Sequence, residues 1–245
     1  KVNKDYFIMP ESDVVIRAKW SKLTISKSMD GVVSEQGDPI MKEYNGTSTE
    51  DYHSSEYKSK VTSVVTKDNT DISSNAIEWW DVSEAEDQSV IAYIEDDGSG
   101  GYKVTIGGRG GVIASSCNAL FYNFTSLTSV DLTYLDTSRV IYMWAMFYNC
   151  ASLENLDLST LNTSKVATLS QMFQGCSNLT NLNIGGDFDS LTNMGLTFYG
   201  CSKLESIDLS SINTSKVTTM EMLFGGCSSL TSINFGNDFD TSNVT

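Results

Sequence analysis

Five copies of one apolar phrase constrain this chain more than anything else in it. Anchor residues Phe121, Phe147, Phe173, Phe198 and Phe224 are spaced by 26, 26, 25 and 26 positions. Each is followed by the same frame, from Leu127-x-x-Val130-x-Leu132 and Leu153-x-x-Leu156-x-Leu158 to Leu230-x-x-Ile233-x-Phe235. One unit with a single apolar stripe cannot bury that stripe alone, so neighbouring copies must stack and supply the core. Stacking repeats a surface at fixed intervals rather than closing a cleft. That favours binding over catalysis.

The pieces of a repeat can be placed from residue chemistry. The L-x-x-L-x-L segment predicts a strand with its leucines in the core. Turns at Asp136-Thr137-Ser138, Asn162-Thr163-Ser164, Asn213-Thr214-Ser215 and Asp240-Thr241-Ser242 carry oxygens suited to capping backbone N–H groups. Apolar residues three or four apart come next, as in Val140, Met143, Met146 and Phe147, and predict a short helical or 3-10 segment. The third repeat is one residue short near Asp187-Phe188-Asp189 and should deviate there. The expected fold class is therefore α/β: a leucine-rich-repeat solenoid over 117–245, with a parallel sheet and short helical/3-10 segments.

Cys150, Cys176, Cys201 and Cys227 each lie three residues after an anchor Phe, and the first repeat has Phe124 at that position. Exchange of Cys for Phe marks a buried apolar slot and predicts free thiols. Disulfides between successive repeats are the alternative. Cys117 falls outside this register.

Ahead of the repeats, Val14, Ile16, Ala18 and Trp20 alternate as in a half-buried strand, within a first segment, 1–22. Residues 23–56 are polar and aperiodic and read as a linker. Residues 57–116 hold strand-like runs at Val61–Thr66, Val90–Ile94, Tyr102–Ile106 and Val112–Ala114. The acidic, Gly-rich stretch from Glu95 to Gly101 suits a hairpin turn. This unit reads as a β-rich N-terminal cap, because a stack of repeats exposes core at its end.

A formal charge of −15 without a Lys/Arg cluster argues against nucleic acid and anionic lipid as partners. No run approaches the ~20 apolar residues that span a bilayer, so no membrane insertion is expected. Catalytic chemistry has little to work with. His53 is the only histidine and lies in the polar segment, where a solvated loop position is expected. Gly107-Gly108-Arg109-Gly110-Gly111 lacks the G-K-[ST] ending of a phosphate cradle and reads as a turn. Glu95-Asp96-Asp97 lacks the alternating acids of a calcium loop. No catalytic or structural metal residues are assigned, and the chain is expected not to be an enzyme.

One column is a candidate ligand-binding face. The outward residue between the last two apolar positions of each strand is Asp131, Asp157, Asn183, Asp208 and Asn234. Stacked ~4.8 Å apart in a parallel sheet, these residues form either a solvated polar row or a hydrogen-bonding strip for a partner. No cofactor is expected, although the Asp131–Asp157 pair leaves room for weak calcium binding.

The phrase running from Leu153 through Asn162-Thr163-Ser164 to Met172-Phe173 and Cys176 resembles the BspA-type leucine-rich repeat of bacterial surface proteins. Trp80-Asp81-Val82-Ser83 through Gly107–Gly111 is similar to the region preceding such repeats. Phe7-Ile8-Met9-Pro10 with Asp13-Val14-Val15-Ile16 and Trp20 resembles the closing strand of a Listeria–Bacteroides repeat module. The resemblance implies an extracellular protein on the cell surface or wall of a bacterium, an adhesin whose host or microbial protein or glycan partner varies between members. The alternatives are a structural spacer and the non-catalytic region of a larger secreted enzyme. The fifth repeat breaks off after Val244, so further repeats or a cap are expected, with the least order, or self-association, at the C-terminal end.

Overall fold

In the computed structural model the strands within 6–8, 14–19 and 22–27 are described as backbone, and residues 38–44, 51–237 and 239–245 in full. The chain divides into two compact units, Lys1–Gln36 and Gly37–Thr245. The first contains β1 (Tyr6–Ile8), β2 (Val14–Lys19) and β3 (Lys22–Lys27) in one antiparallel sheet. Thus β3 lies within the stretch expected to be linker. So do β4 (Ile40–Met41) and a 3-10 turn at Asp51–His53.

The second unit opens with β5 (Val61–Lys67), β6 (Glu78–Asp81), β7 (Val90–Asp96), β8 (Tyr102–Gly108) and β9 (Val112–Ala114). The β7–β8 hairpin turns where Asp97 accepts hydrogen bonds from Ser99 and Gly101. The repeats contribute β10 (Ser129–Asp131), β11 (Leu135–Asp136), β12 (Asn155–Asp157), β13 (Asn181–Asn183), β14 (Ser206–Asp208) and β15 (Ser232–Asn234). β10 extends the sheet of β5, β8, β7 and β6 by pairing in parallel with β5, and β11 pairs with β9.

The α/β expectation is overturned. The described residues contain no α-helix, and the 3-10 turn lies outside the repeats. No single parallel sheet runs along the chain either: β12 pairs only with β13 and β14 only with β15. The leucine-rich-repeat solenoid with helical segments gives way to an all-β chain of short strands and turns in several small sheets.

The reason lies in the backbone of the expected helix. Ala145 and Asn149 have φ of 53° and 56°, and the same two positions recur as Gln171 and Gly175, Leu196 and Gly200, and Met222 and Gly226. Left-handed residues cannot continue a right-handed helix. Instead, alternate N–H groups point along the stack. Met143, Ala145, Phe147 and Asn149 donate to the carbonyls of Thr168, Ser170, Met172 and Gln174, at 2.7–3.2 Å. The next repeat does the same from Leu169, Gln171, Phe173 and Gly175. Each left-handed non-glycine residue costs roughly 1–2 kcal/mol, and the inter-repeat hydrogen bonds offset it.

Side chains follow this ladder inward. Phe147, Phe173, Phe198 and Phe224 stack with ring centroids 5.4–6.0 Å apart. Leu127, Leu153, Leu179 and Leu204 are fully buried. The five cysteines are free, and the thiols of Cys150, Cys176, Cys201 and Cys227 each donate to the carbonyl of the Phe one repeat earlier, for example Cys176 Sγ to Phe147 O at 3.1 Å. Cys117 is in register after all, though not with the other cysteines. Its N–H donates to Tyr142 O as Met143 N–H donates to Thr168 O, so it starts the ladder. The short third repeat turns through Gly185 and Gly186, both at positive φ, and a Cβ on Gly186 would collide with Thr163.

Candidate functional site

The strand face is built from turn chemistry. Asp157 Oδ1 accepts the Ser159 N–H at 2.9 Å, Asn183 Oδ1 that of Gly185 at 3.2 Å, and Asp208 Oδ1 that of Ser210 at 2.8 Å. Asp131 and Asn234 do the same for Thr133 and Gly236. The column therefore recurs because each strand ends in a tight turn whose N–H needs a side-chain acceptor, a role open to both Asp and Asn. Hydrogen bonds from Thr133, Ser159 and Ser210 hold Asp131, Asp157 and Asp208 below the usual carboxylate range.

The five residues are not brought together as one strip. Asp157 is registered with Asn183, and Asp208 with Asn234, whose Nδ2 donates across to Asp208 Oδ1 at 3.2 Å. Asp131 is registered with Val65 of β5. Asp157, Asn183 and Asp208 share a shallow groove of about 590 Å³ that crosses β12, β13 and β14. Among the described residues no group of three or more His, Cys, Asp or Glu side chains is placed to hold a metal ion.

A second column went unread in the sequence. Asn155, Asn181 and Ser206 stand two residues before the first and share the groove. The Asn181 Nδ2 donates to Asn155 Oδ1 at 2.6 Å. The signal was available, because residues two apart on a strand face the same way. Between the columns lie Leu156, Leu182 and Ile207, of which Leu156 and Ile207 are buried in the core, so the face itself presents amide, hydroxyl and carboxylate edges.

His53 departs most from expectation: it is buried, not solvated, with 3 % exposure. Its Nε2 lies 2.7 Å from Leu120 O and its Nδ1 2.9 Å from Asp51 Oδ1. Both ring nitrogens thus face oxygen acceptors, a backbone carbonyl and a carboxylate. Asp51 also receives Lys42 Nζ at 2.9 Å and the Tyr44 hydroxyl at 3.2 Å. Burial pushes the Asp51 carboxyl up, and the hydrogen bonds and charges of His53 and Lys42 more than offset it, leaving it below the usual range.

This cluster caps the leading edge of the repeats. In later repeats the carbonyls of Met146, Met172, Thr197 and Leu223 accept the N–H of the preceding repeat's Phe. Leu120 occupies the corresponding position in the first half-rung, where no earlier repeat exists, and His53 supplies the missing donor. Phe124 fits the same logic. It replaces Cys where there is no preceding Phe carbonyl, and packs edge-on against His53 and Tyr52.

The described residues contain no helix long and apolar enough to cross a membrane. No curated protein and no solved structure is matched by the chain. The family model described as "Mycoplasma protein of unknown function, DUF285" matches residues 115–229 and again 180–245. Its first match begins two residues before the ladder starts at Cys117, and the overlap reflects the internal repetition. Together the matches span 115–245, or 131 of 245 residues, and the chain belongs to this bacterial repeat family.

Proposed function

We propose that the repeats form a non-enzymatic binding module of a bacterial surface protein, engaging a protein or glycan partner through the strand face. The observation that carries this is the groove over β12–β14, where two exposed polar columns stand in constant register. The acidic balance speaks against nucleic acid and anionic lipid, and the BspA-type resemblance supports an adhesin outside the cell.

The test is binding of the chain to immobilised extracellular-matrix proteins and to a printed glycan array, compared with Asn155→Ala, Asn181→Ala and Asp157→Asn. Loss of binding with an unchanged melting temperature supports the strand face. A spacer role is favoured by one specific fact, that the column oxygens already cap their own turns. Absence of binding across both panels would leave that role standing.

A further inference from the structure

The opposite requirement, exposed aromatic rings on a rigid support, is met on a different edge of the stack. Along the inter-repeat ladder the outward positions are mostly small: Thr168 and Ser170 in one repeat, Asn193 and Gly195 in the next. In the first repeat the same positions hold Tyr142 and Trp144, with Ile141 beside them. These three are 51 %, 36 % and 44 % exposed.

Folding does not explain them. The backbone takes the same course where Thr168 and Ser170 or Asn193 and Gly195 replace the rings, with matching bridges from Tyr142 to Thr168 and from Thr168 to Asn193. That backbone is held from both sides. Tyr142 O and Trp144 O accept the N–H groups of Cys117 and Ala119, Trp144 N–H donates to Asn118 Oδ1 at 2.9 Å, and Met143 N–H donates to Thr168 O. A platform fixed before binding loses little entropy when it is occupied.

We propose that the Ile141–Tyr142–Trp144 step is a carbohydrate-binding site, separate from the strand face, that receives the C–H face of a hexopyranose. Tyr and Trp offer a flat apolar body with a polar edge, which suits a ring that is apolar on its face and hydroxylated at its rim. The flanking ladder positions, Asn118 and Ser116 before and Thr168 and Ser170 after, are hydroxyls and an amide without charge. Thr168 Oγ1 accepts the Ser170 N–H, which leaves its hydroxyl hydrogen to donate outward. Three side chains on one rung fall far short of the roughly 800 Å² per partner of a standard protein interface. They match the footprint of a sugar.

The experiment uses the whole chain on an array of galactose-, glucose-, mannose- and N-acetylhexosamine-terminated oligosaccharides, followed by calorimetric titration of the strongest binder. Tyr142→Thr and Trp144→Ser install residues that the next repeat carries at the same positions, so the melting temperature should hold. Each should weaken binding about tenfold or more, while Tyr134→Thr, which removes an exposed ring outside both surfaces, leaves it unchanged. No sugar binding, or affinity unaltered by Tyr142→Thr and Trp144→Ser, overturns the site. Loss of binding to immobilised fibronectin or collagen in these two variants, with no sugar bound, reassigns the step to a protein partner and also overturns it. Either failure leaves the strand face to be judged on its protein arm, which is read from the groove variants on matrix proteins.

Discussion

The first half-rung and the fifth repeat are opposite ends of one backbone ladder, and they are finished differently. Alternate N–H groups of this ladder run to carbonyls of the following repeat, while the N–H groups of Ala167 and Asn193 return to Ile141 O and Ala167 O of the preceding one; the leading edge therefore leaves carbonyls such as Leu120 O in need of donors. At the leading end His53 donates to Leu120 O, β5 pairs with β10, and Phe124 fills the thiol slot. At the trailing end the N–H groups of Met220, Met222, Phe224 and Gly226 face no acceptor among the described residues. Phe224, Cys227, Leu230 and Ile233 are only partly buried there, and Met222 is 58 % exposed.

The largest expected effect lies at the leading end. His53→Ala removes a hydrogen-bond partner from the buried Asp51 carboxylate and orphans Leu120 O, at a cost of about 2–4 kcal/mol, Lys42 still pairing the carboxylate. Denaturant unfolding measures it. A loss below about 1 kcal/mol would mean that β5–β10 pairing caps the stack without the histidine. Acid should act through the same cluster. Asp51 has a folded value below its unfolded one, so its stabilisation is fully present above the ordinary carboxylate pKa of about 4 and is lost as pH falls through the folded value. Stability of the native chain should fall more steeply below about pH 4 than that of Asp51→Asn. Parallel pH profiles would refute this assignment.

Packing should grade along the ladder next. Leu179 is fully buried mid-stack, and Leu179→Ala should cost roughly 2–5 kcal/mol by cavity formation. Leu230→Ala, partly buried, should cost visibly less. Thiols provide the same comparison chemically. Burial pushes the Cys117 thiol up to about 12 and also raises Cys150, Cys176 and Cys201, whereas Cys227 is half-buried. Titration of the native chain with a thiol reagent should show one fast thiol and four slow ones. Uniform reaction of all five would mean that the stack opens as a unit.

Side-chain chemistry was legible in the sequence where it repeats in place. The Phe and Leu periods, the Cys slot and the Asx turns all follow from positions the chain restates every 25 or 26 residues. Helix was the misreading. Val140, Met143, Met146 and Phe147 have helical spacing, yet the same spacing serves overlapping turns whose odd-numbered N–H groups leave the rung. Asn149, Gly175, Gly200 and Gly226 signalled left-handed backbone just before each Cys. Ala145, Gln171, Leu196 and Met222 gave no such signal, because their conformation is imposed by bonds to the next repeat. His53 was illegible for a related reason: its acceptor lies 67 residues away. The strand-face oxygens were seen, but their engagement in turns two residues on was not.

The smallest effects should come from those turns, and they should be the same at both ends. Asn183 and Asn234 already do with an amide what Asp157 and Asp208 do with a carboxylate, accepting the N–H two residues ahead. Asp157→Asn and Asp208→Asn should therefore change stability by no more than a few tenths of a kcal/mol near neutral pH, while Asp157→Ala loses the acceptor and costs about 1 kcal/mol. Calcium sharpens the distinction. One oxygen of each carboxylate is spent on its own turn, and neighbouring strands offset Asp with Asn. Millimolar calcium should accordingly leave the melting temperature of the native chain and of Asp157→Asn equal. A calcium-dependent rise in the native chain that Asp131→Asn and Asp157→Asn together remove would show instead that the free oxygens gather a cation across the β10–β12 step.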